Sequence, residues 1–201
     1  MILGSIRSRK RISEIASAAF IVAFAWLIQL AVLSKLPFGS VLCNLPLTLT
    51  IVWGVTFGSP VGKPSPDELR VSSFGTVLFR QLLSGSPSGA IVGAFFAALA
   101  SSVLPVYPVS YPLIGWIAGY FSLKNFNQAA FLCIPLVVLL SFLGEMLMAC
   151  QLALIGRPEV FSQLVLVGFP EALLNALIAP VLFFPMRGWY EFSQWRKLSV
   201  E

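Results

Sequence analysis

The 201-residue chain contains no histidine, and only 10% of its residues are charged. Soluble domains carry about 25% charged residues, so water is not the main solvent of this protein. The absence of histidine excludes Ser/His catalysis and histidine-based metal sites. We therefore predict that the protein is not an enzyme and that it binds no metal and no cofactor.

Cysteine is scarce as well. Cys43, Cys133 and Cys150 all lie in apolar stretches and form no CxxC pair. This pattern matches neither a disulfide framework nor a zinc site. The three thiols are predicted to be packing residues.

Apolar residues are abundant: they make up 58% of the chain, and the mean hydropathy is +0.90. A membrane-spanning helix uses about 20 residues, so six spans nearly fill the sequence. We predict one all-α polytopic membrane domain covering residues 1–201. Its spans are predicted at 15–33, 41–57, 88–104, 111–123, 129–154 and 161–184, with interfacial helices at 71–83 and 187–197.

The distribution of Lys and Arg predicts the orientation. With the N-terminus in the cytoplasm, only Lys35 and Arg157 of the 13 basic residues fall on the outer side. We therefore expect both termini in the cytoplasm of a bacterium, with the chain crossing its inner membrane. The net charge of +5 indicates contact with anionic lipids at the cytoplasmic face, and no nucleic-acid partner is predicted.

Small residues recur every four positions in the third predicted span and again in the fourth. Such spacing lets another helix approach closely. The approaching helix belongs either to the same bundle or to a partner protein, and the sequence does not separate these two interpretations. The candidate face comprises Gly85, Gly89, Gly93, Ala97, Gly115 and Gly119.

Two acids lie inside predicted spans, Glu145 and Glu171. A carboxylate in hydrocarbon costs several kcal/mol unless it is protonated, paired or near water. No basic residue lies at similar depth, so a protonated or hydrogen-bonded state, or a cation from a partner, is expected. Either a structural hydrogen-bond network or a binding role fits. The full polar and kink cluster is Asn44, Pro46, Glu145, Pro170, Glu171, Asn175 and Pro180.

Several segments resemble the MreD family of rod shape-determining proteins. The final predicted span carries Asn175-Ala-Leu-Ile-Ala-Pro180, which is similar to that family's Asn-Ala-Leu-x-Ala-Pro run. Gly85-Ser-Pro-Ser-Gly89 resembles the start of its glycine-rich span, and Asn44-Leu-Pro46 stands at the place of a Pro-Asp-Leu pattern. Two features depart from the family: its acid after the glycine-rich span is missing around Ala100, and residues 58–84 form a longer insertion.

The resemblance implies a non-enzymatic scaffold of the cell-wall elongation machinery. Its expected partners are an MreC-like membrane protein and, through it, RodA, a penicillin-binding transpeptidase and MreB. The six-helix fold of MreD resembles that of the substrate-binding subunits of energy-coupling-factor vitamin transporters, and such a subunit is the alternative prediction. A deep polar pocket in the outer half of the bundle would favour the transporter subunit.

Overall fold

The computed structural model describes residues 18–35, 41–58, 85–121, 130–157 and 159–198. These residues form six helical segments, which we number α1 to α6. They are α1 Ala18–Lys35, α2 Leu45–Phe57, α3 Pro87–Ala100, α4 Ser110–Ala118 with a following 3₁₀ turn Gly119–Phe121, α5 Ala130–Leu154, and α6, which joins Val160–Gln163, Leu164–Gly168 and Phe169–Leu198.

Three of these helices have the length and composition of membrane spans. They are Ala18–Lys35, Cys133–Leu154 and Val160–Phe192, and at most one third of each span is buried inside the protein. The apolar side chains that they expose need a nonaqueous surrounding. The described part of the chain is therefore that of an all-α membrane protein.

Helix α2 lies at the centre of the bundle. Twelve of its 13 residues are buried, and it contacts α3, α4, α5 and α6. A helix that is apolar on every side and enclosed by others needs no lipid-facing surface. Its 13 residues rise only about 20 Å, which is less than the hydrocarbon thickness of a bilayer.

The first turns of helices α2 and α3 are capped in the same way. Asn44 Oδ1 accepts from the Leu47 N–H at 3.1 Å, and Ser86 Oγ accepts from the Gly89 N–H at 3.1 Å. Pro46 and Pro87 stand in the first turns, where no intrahelical N–H bond is lost. Both helices therefore start at fixed residues.

Helix α6 contains a π-helical turn, Leu164–Gly168, which ends two residues before Pro170. Proline has no N–H and its ring clashes with the carbonyl four residues earlier, so a wider turn accommodates it. Beyond this turn the helix continues through Pro180 and Pro185 to Leu198. The prediction of a separate tail helix at 187–197 differs from this finding, because the two prolines do not end the helix.

Other helix bounds differ modestly from the predicted spans. The third predicted span extended to residue 104, whereas α3 ends at Ala100 and the Ser101 and Ser102 hydroxyls bond back to the carbonyls of Ala98 and Leu99. Helix α2 begins at Leu45 instead of residue 41. The predicted interfacial helix at 71–83 lies outside the described residues.

The helices alternate in direction, which gives the bundle two distinct ends. At the end that we call the Asn44 end, the last turns of α1 and α5 meet the first turns of α2 and α4. At the opposite end, which we call the Trp53 end, aromatic rings of α2 and α6 pack edge to face. The ring pairs are Trp53–Trp189 at 5.9 Å, Phe57–Trp189 at 5.8 Å and Phe57–Tyr190 at 5.8 Å.

Candidate functional site

Asn44 connects several helices at the Asn44 end. Its side chain caps α2, and the Tyr111 hydroxyl of α4 lies 3.0 Å from Nδ2 and 3.2 Å from Oδ1. The carboxyl groups of Glu145 in α5 and Glu171 in α6 lie close to the same amide. The Asn44 side chain therefore bonds α2 to α4 at a point that α5 and α6 also approach.

Asn175 of α6 is the second amide at this end of the bundle, and it is fully buried. Its Oδ1 accepts from the Asn44 N–H at 2.8 Å and from the Cys43 thiol at 3.2 Å. Its Nδ2 donates to the Ser141 hydroxyl of α5 at 3.4 Å. A buried amide with partners on both sides holds α6 against α5 and the start of α2.

Gln29 of α1 binds the irregular backbone that precedes α2. Its Nε2 donates to the Cys43 carbonyl at 2.9 Å, and its Oε1 accepts from the Leu45 N–H at 3.0 Å. Backbone outside a regular helix needs such partners when it lies among apolar helices. Gln29 and Asn175 thus satisfy the backbone of residues 43–45 from opposite sides.

Glu145 and Glu171 lie next to each other. Two ionised carboxylates this close repel each other inside an apolar bundle, and a proton on one of them removes that repulsion. A Cβ at Gly168 would lie 3.5 Å from the Glu145 Cβ, an ordinary van der Waals distance, so α6 is in close contact with α5 beside the pair. The two acids are thus brought together from α5 and α6, although 25 residues separate them in sequence.

A cavity of about 260 Å³ opens beside these residues. Asn44, Tyr111 and Glu171 supply polar groups to its wall, and residues near the ends of α1 and α3 supply apolar ones. The cavity is partly open to the surroundings. Its lining residues are Trp26, Gln29, Leu30, Leu42, Cys43, Asn44, Pro46, Ala100, Val103, Leu104, Tyr111 and Glu171.

The amide groups of the cluster are hydrogen-bonded within the chain, and no basic side chain that the structure describes pairs with its two acids. Within the described ranges, the only buried polar side-chain atom without a partner is Ser110 Oγ. The ion pair found there, Arg187–Glu191 at 2.8 Å, lies on the exposed surface of α6. The described residues also contain no group of three potential metal ligands. The acid pair can therefore hold or exchange a proton, and it can accept hydrogen bonds from a donor in the cavity.

The predicted polar and kink cluster is brought together in part. Asn44 and Asn175 share one hydrogen-bond network, Glu145 and Glu171 lie beside it, and Pro46 lines the cavity. Pro170 shapes the turn before Glu171. Pro180 lies nine residues beyond Glu171, about 14 Å along the helix, and so lies apart from the network.

Four members of the network were not in the predicted cluster. They are Gln29, which bonds the backbone of Cys43 and Leu45, Tyr111 and Ser141, whose hydroxyls bond Asn44 and Asn175, and Cys43, whose thiol bonds Asn175. An isolated hydroxyl or thiol in an apolar segment has no spacing that marks it. Cys43 and Cys133 are buried and Cys150 is exposed, and Cys43 has a bonding role besides packing.

The small-residue face lies inside the bundle, between α2, α3 and α4. A Cβ on Gly89 would collide with the Gly115 carbonyl oxygen and would lie 2.8 Å from the Gly54 Cα. A Cβ on Gly93 would lie 2.5 Å from the Tyr111 carbonyl oxygen. Gly85 meets the Trp116 ring, Gly119 meets Ser86, and Ala97 is fully buried. The packing partner of this face is thus the same chain, and its glycines are not exposed for docking.

No family model, no curated protein and no solved structure matches this chain.

Proposed function

We propose that this protein is a non-enzymatic scaffold of the bacterial inner membrane, similar to MreD, that supports cell-wall elongation. In this proposal the chain crosses the membrane six times, with both termini in the cytoplasm. It binds an MreC-like protein and through it RodA, a penicillin-binding transpeptidase and MreB.

The observation that carries the proposal is the position of Asn175. This residue begins the Asn-Ala-Leu-Ile-Ala-Pro run on which the resemblance to MreD is strongest, and it is the buried bond between α6 and the start of α2. Ala176 and Ala179 of the same run are buried as well. These buried residues lie where α6 packs against the rest of the bundle, which is what we expect of a motif that maintains the fold of a scaffold protein.

The proposed topology is supported by the alternation of the helices. Lys35 and Arg157 are exposed at the Asn44 end, whereas Arg187 lies near the aromatic rings of the Trp53 end. The Asn44 end is then the outer one, and the Trp53 end faces the cytoplasm. The short α2 is compatible with a membrane because protein surrounds it, and non-helical backbone at membrane depth is tolerated under this condition.

Affinity purification from native membranes tests the scaffold proposal. We expect a tagged copy of the chain to recover an MreC-like protein, while another six-span membrane protein with the same tag does not. Depletion of the chain should convert rod-shaped cells into round ones. Recovery of no MreC-like protein, together with unchanged cell shape on depletion, would refute the proposal.

The second candidate function is the substrate-binding subunit of an energy-coupling-factor vitamin transporter. The observation in its favour is the cavity, which lies at the proposed outer end and has polar groups in its wall. Here we expect the purified protein to bind a water-soluble vitamin tightly and to copurify with a transporter ATPase. Vitamin binding without an MreC-like partner would select this candidate over the scaffold.

A further inference from the structure

We propose that the cavity at the Asn44 end binds a small amphiphile whose protonated amino group reaches Glu171 and whose apolar part lies between α1 and α3. This inference goes beyond the scaffold proposal and does not depend on it. It concerns the cavity and its lining, whichever proteins surround the bundle.

The inner wall of the cavity offers hydrogen-bond acceptors. Glu171 is incompletely buried and lines the cavity directly, so a ligand can reach its carboxyl group. The Tyr111 hydroxyl and the Asn44 amide lie beside it. An ammonium group has three donors and no acceptor, and such donors match a wall of oxygen atoms.

The charge at this wall favours a cation. When Glu145 and Glu171 share one proton, the pair retains one negative charge inside an apolar bundle, where an unpaired charge is costly. The basic residues whose side chains the structure describes are Lys35, Arg157 and Arg187. The first two are exposed, and Arg187 pairs with Glu191. A bound amine would supply the missing positive charge.

The outer part of the cavity is apolar. Trp26 and Leu30 of α1, Leu42, and Val103 and Leu104, which follow α3, supply apolar side chains to its lining. Leu30, Leu42, Val103 and Leu104 remain exposed, so the cavity is open where these residues meet. A short hydrocarbon chain or ring fits this passage, with its amine directed inward.

The volume limits the size of the occupant. The cavity of about 260 Å³ lies just below the range of roughly 300–1,000 Å³ that is usual for sites of drug-sized ligands. A short-chain amine fits entirely. The amine-bearing headgroup of a lipid also fits, if its acyl chains leave through the apolar opening. Both the short-chain amine and the lipid headgroup place an ammonium group at Glu171.

The test uses full-length protein reconstituted in phosphatidylcholine nanodiscs and three probes of equal chain length: hexylamine, hexanol and hexanoate. Saturation-transfer NMR measures binding. We expect saturable binding of hexylamine alone. Glu171→Gln keeps the size and hydrogen bonds but removes the charge, and should weaken hexylamine binding roughly tenfold or more, since a charge-assisted hydrogen bond is lost.

Two controls separate the cavity from the rest of the surface. Glu159→Gln alters an exposed acid at the same end of the bundle and should bind hexylamine like the wild type. Val103→Trp places a large ring at the exposed opening and should block binding without disturbing the fold. Equal thermal midpoints of all variants would show that each one is folded.

A second assay, of lipid retention, shows whether the amine belongs to a lipid headgroup or to a small free molecule. Protein is extracted from vesicles that contain both phosphatidylethanolamine and phosphatidylcholine, and native mass spectrometry detects retained lipid. Retention of phosphatidylethanolamine that Glu171→Gln abolishes indicates a lipid headgroup, and hexylamine binding without lipid retention indicates a small free amine. Equal binding of hexanol and hexylamine, full binding by folded Glu171→Gln, or no binding in either assay would overturn the proposal.

Discussion

The two sides of α2 are held by different physical means. Towards α3 and α4 lies a glycine junction, formed by Gly54, Gly89 and Gly115, where backbones touch. At its first turn, towards α1, α5 and α6, α2 is held by a polar network centred on Asn44 and Asn175. The glycine junction requires that no side chain stands between the backbones. The polar network requires correctly placed hydrogen-bond donors and acceptors.

This difference predicts which changes each side tolerates. At the glycine junction even a methyl group requires two helices to separate, because interiors are close-packed. In the polar network a change of similar size is acceptable if hydrogen bonding is kept, whereas an apolar replacement leaves buried partners unsatisfied. The following substitutions test this contrast, and each effect is measured as a change in thermal midpoint and unfolding free energy in detergent.

The largest effect is expected from Gly89→Ala. The new Cβ collides with the Gly115 carbonyl oxygen, so we expect a loss of about 3 kcal/mol, despite the roughly 1 kcal/mol by which alanine favours a helix. Recovery of monodisperse protein should fall as well. A stable Gly89→Ala protein would show that α3 and α4 are further apart than described.

Two other glycines provide a graded control for this substitution. A Cβ on Gly144 would lie 3.3 Å from the flexible Leu47 side chain, and a Cβ on Gly188 would meet nothing within 4 Å. Gly144→Ala should therefore have a small effect and Gly188→Ala none or a slight gain. Equal gains at all three positions would mean that helix propensity, and not contact, decides the outcome.

Asn175→Leu should have the next largest effect. The substitution removes the acceptor for the Asn44 N–H and the Cys43 thiol and the donor to Ser141, and we expect a loss of about 2–3 kcal/mol. Gln163→Leu changes an exposed side chain on the same helix and should be neutral. A neutral Asn175→Leu would contradict the assignment of this residue as the link between α6 and α2.

Gln29→Leu tests the attachment of α1 to the same network. The substitution leaves the Cys43 carbonyl and the Leu45 N–H without their partner, but the site is only partly buried. We expect a loss of about 1–2 kcal/mol and faster hydrogen exchange at Leu45. Ser34→Ala, on the exposed part of α1, should change neither property; slow exchange at Leu45 in Gln29→Leu would disprove the contact.

The smallest effect is expected from Gln151→Leu. Gln151 of α5 binds the exposed turn before α4 through the Val109 N–H at 3.1 Å and the Tyr107 carbonyl at 3.2 Å. We expect a loss of about 0.5–1 kcal/mol and faster exchange at Val109 only. Cys150→Ala at the neighbouring exposed position is the matched control. A broad increase in hydrogen exchange across α4 would show that Gln151 stabilises the helix as well as the turn before it.

The sequence predicts the helical architecture well where a long apolar run stands between polar turns. Helix α5 begins at Ala130 and ends at Leu154, one residue from the predicted start and at the predicted end. The tail 187–197 was predicted as a separate interfacial helix because its aromatic and basic residues are typical of the headgroup level, whereas α6 continues through it to Leu198. Within a long helix, however, a proline on an outer face costs few bonds and does not stop the chain.

The candidate site was less predictable because its residues meet only through the fold. The periodicity of Glu171 and Asn175 places both on one face of α6, but it does not show that Glu145 of α5 lies opposite. The four-residue spacing of Gly89 and Gly93 is equally suited to internal packing and to partner docking, and only the position of α4 distinguishes them. Tyr111 carries no sequence signal, since its partner Asn44 is 67 residues away.

In the proposed topology the cavity of the membrane bundle faces away from the cytoplasm, and both tails face towards it. Sided thiol labelling tests it most directly, using Ser8→Cys, Ser199→Cys and Val103→Cys in a chain whose native cysteines are replaced by serine. We predict that a membrane-impermeant maleimide labels Val103→Cys in cells with a permeable outer layer and an intact inner membrane, and labels the two tail positions only after lysis. Labelling of either tail in such cells, or protection of Val103→Cys until lysis, would contradict the account.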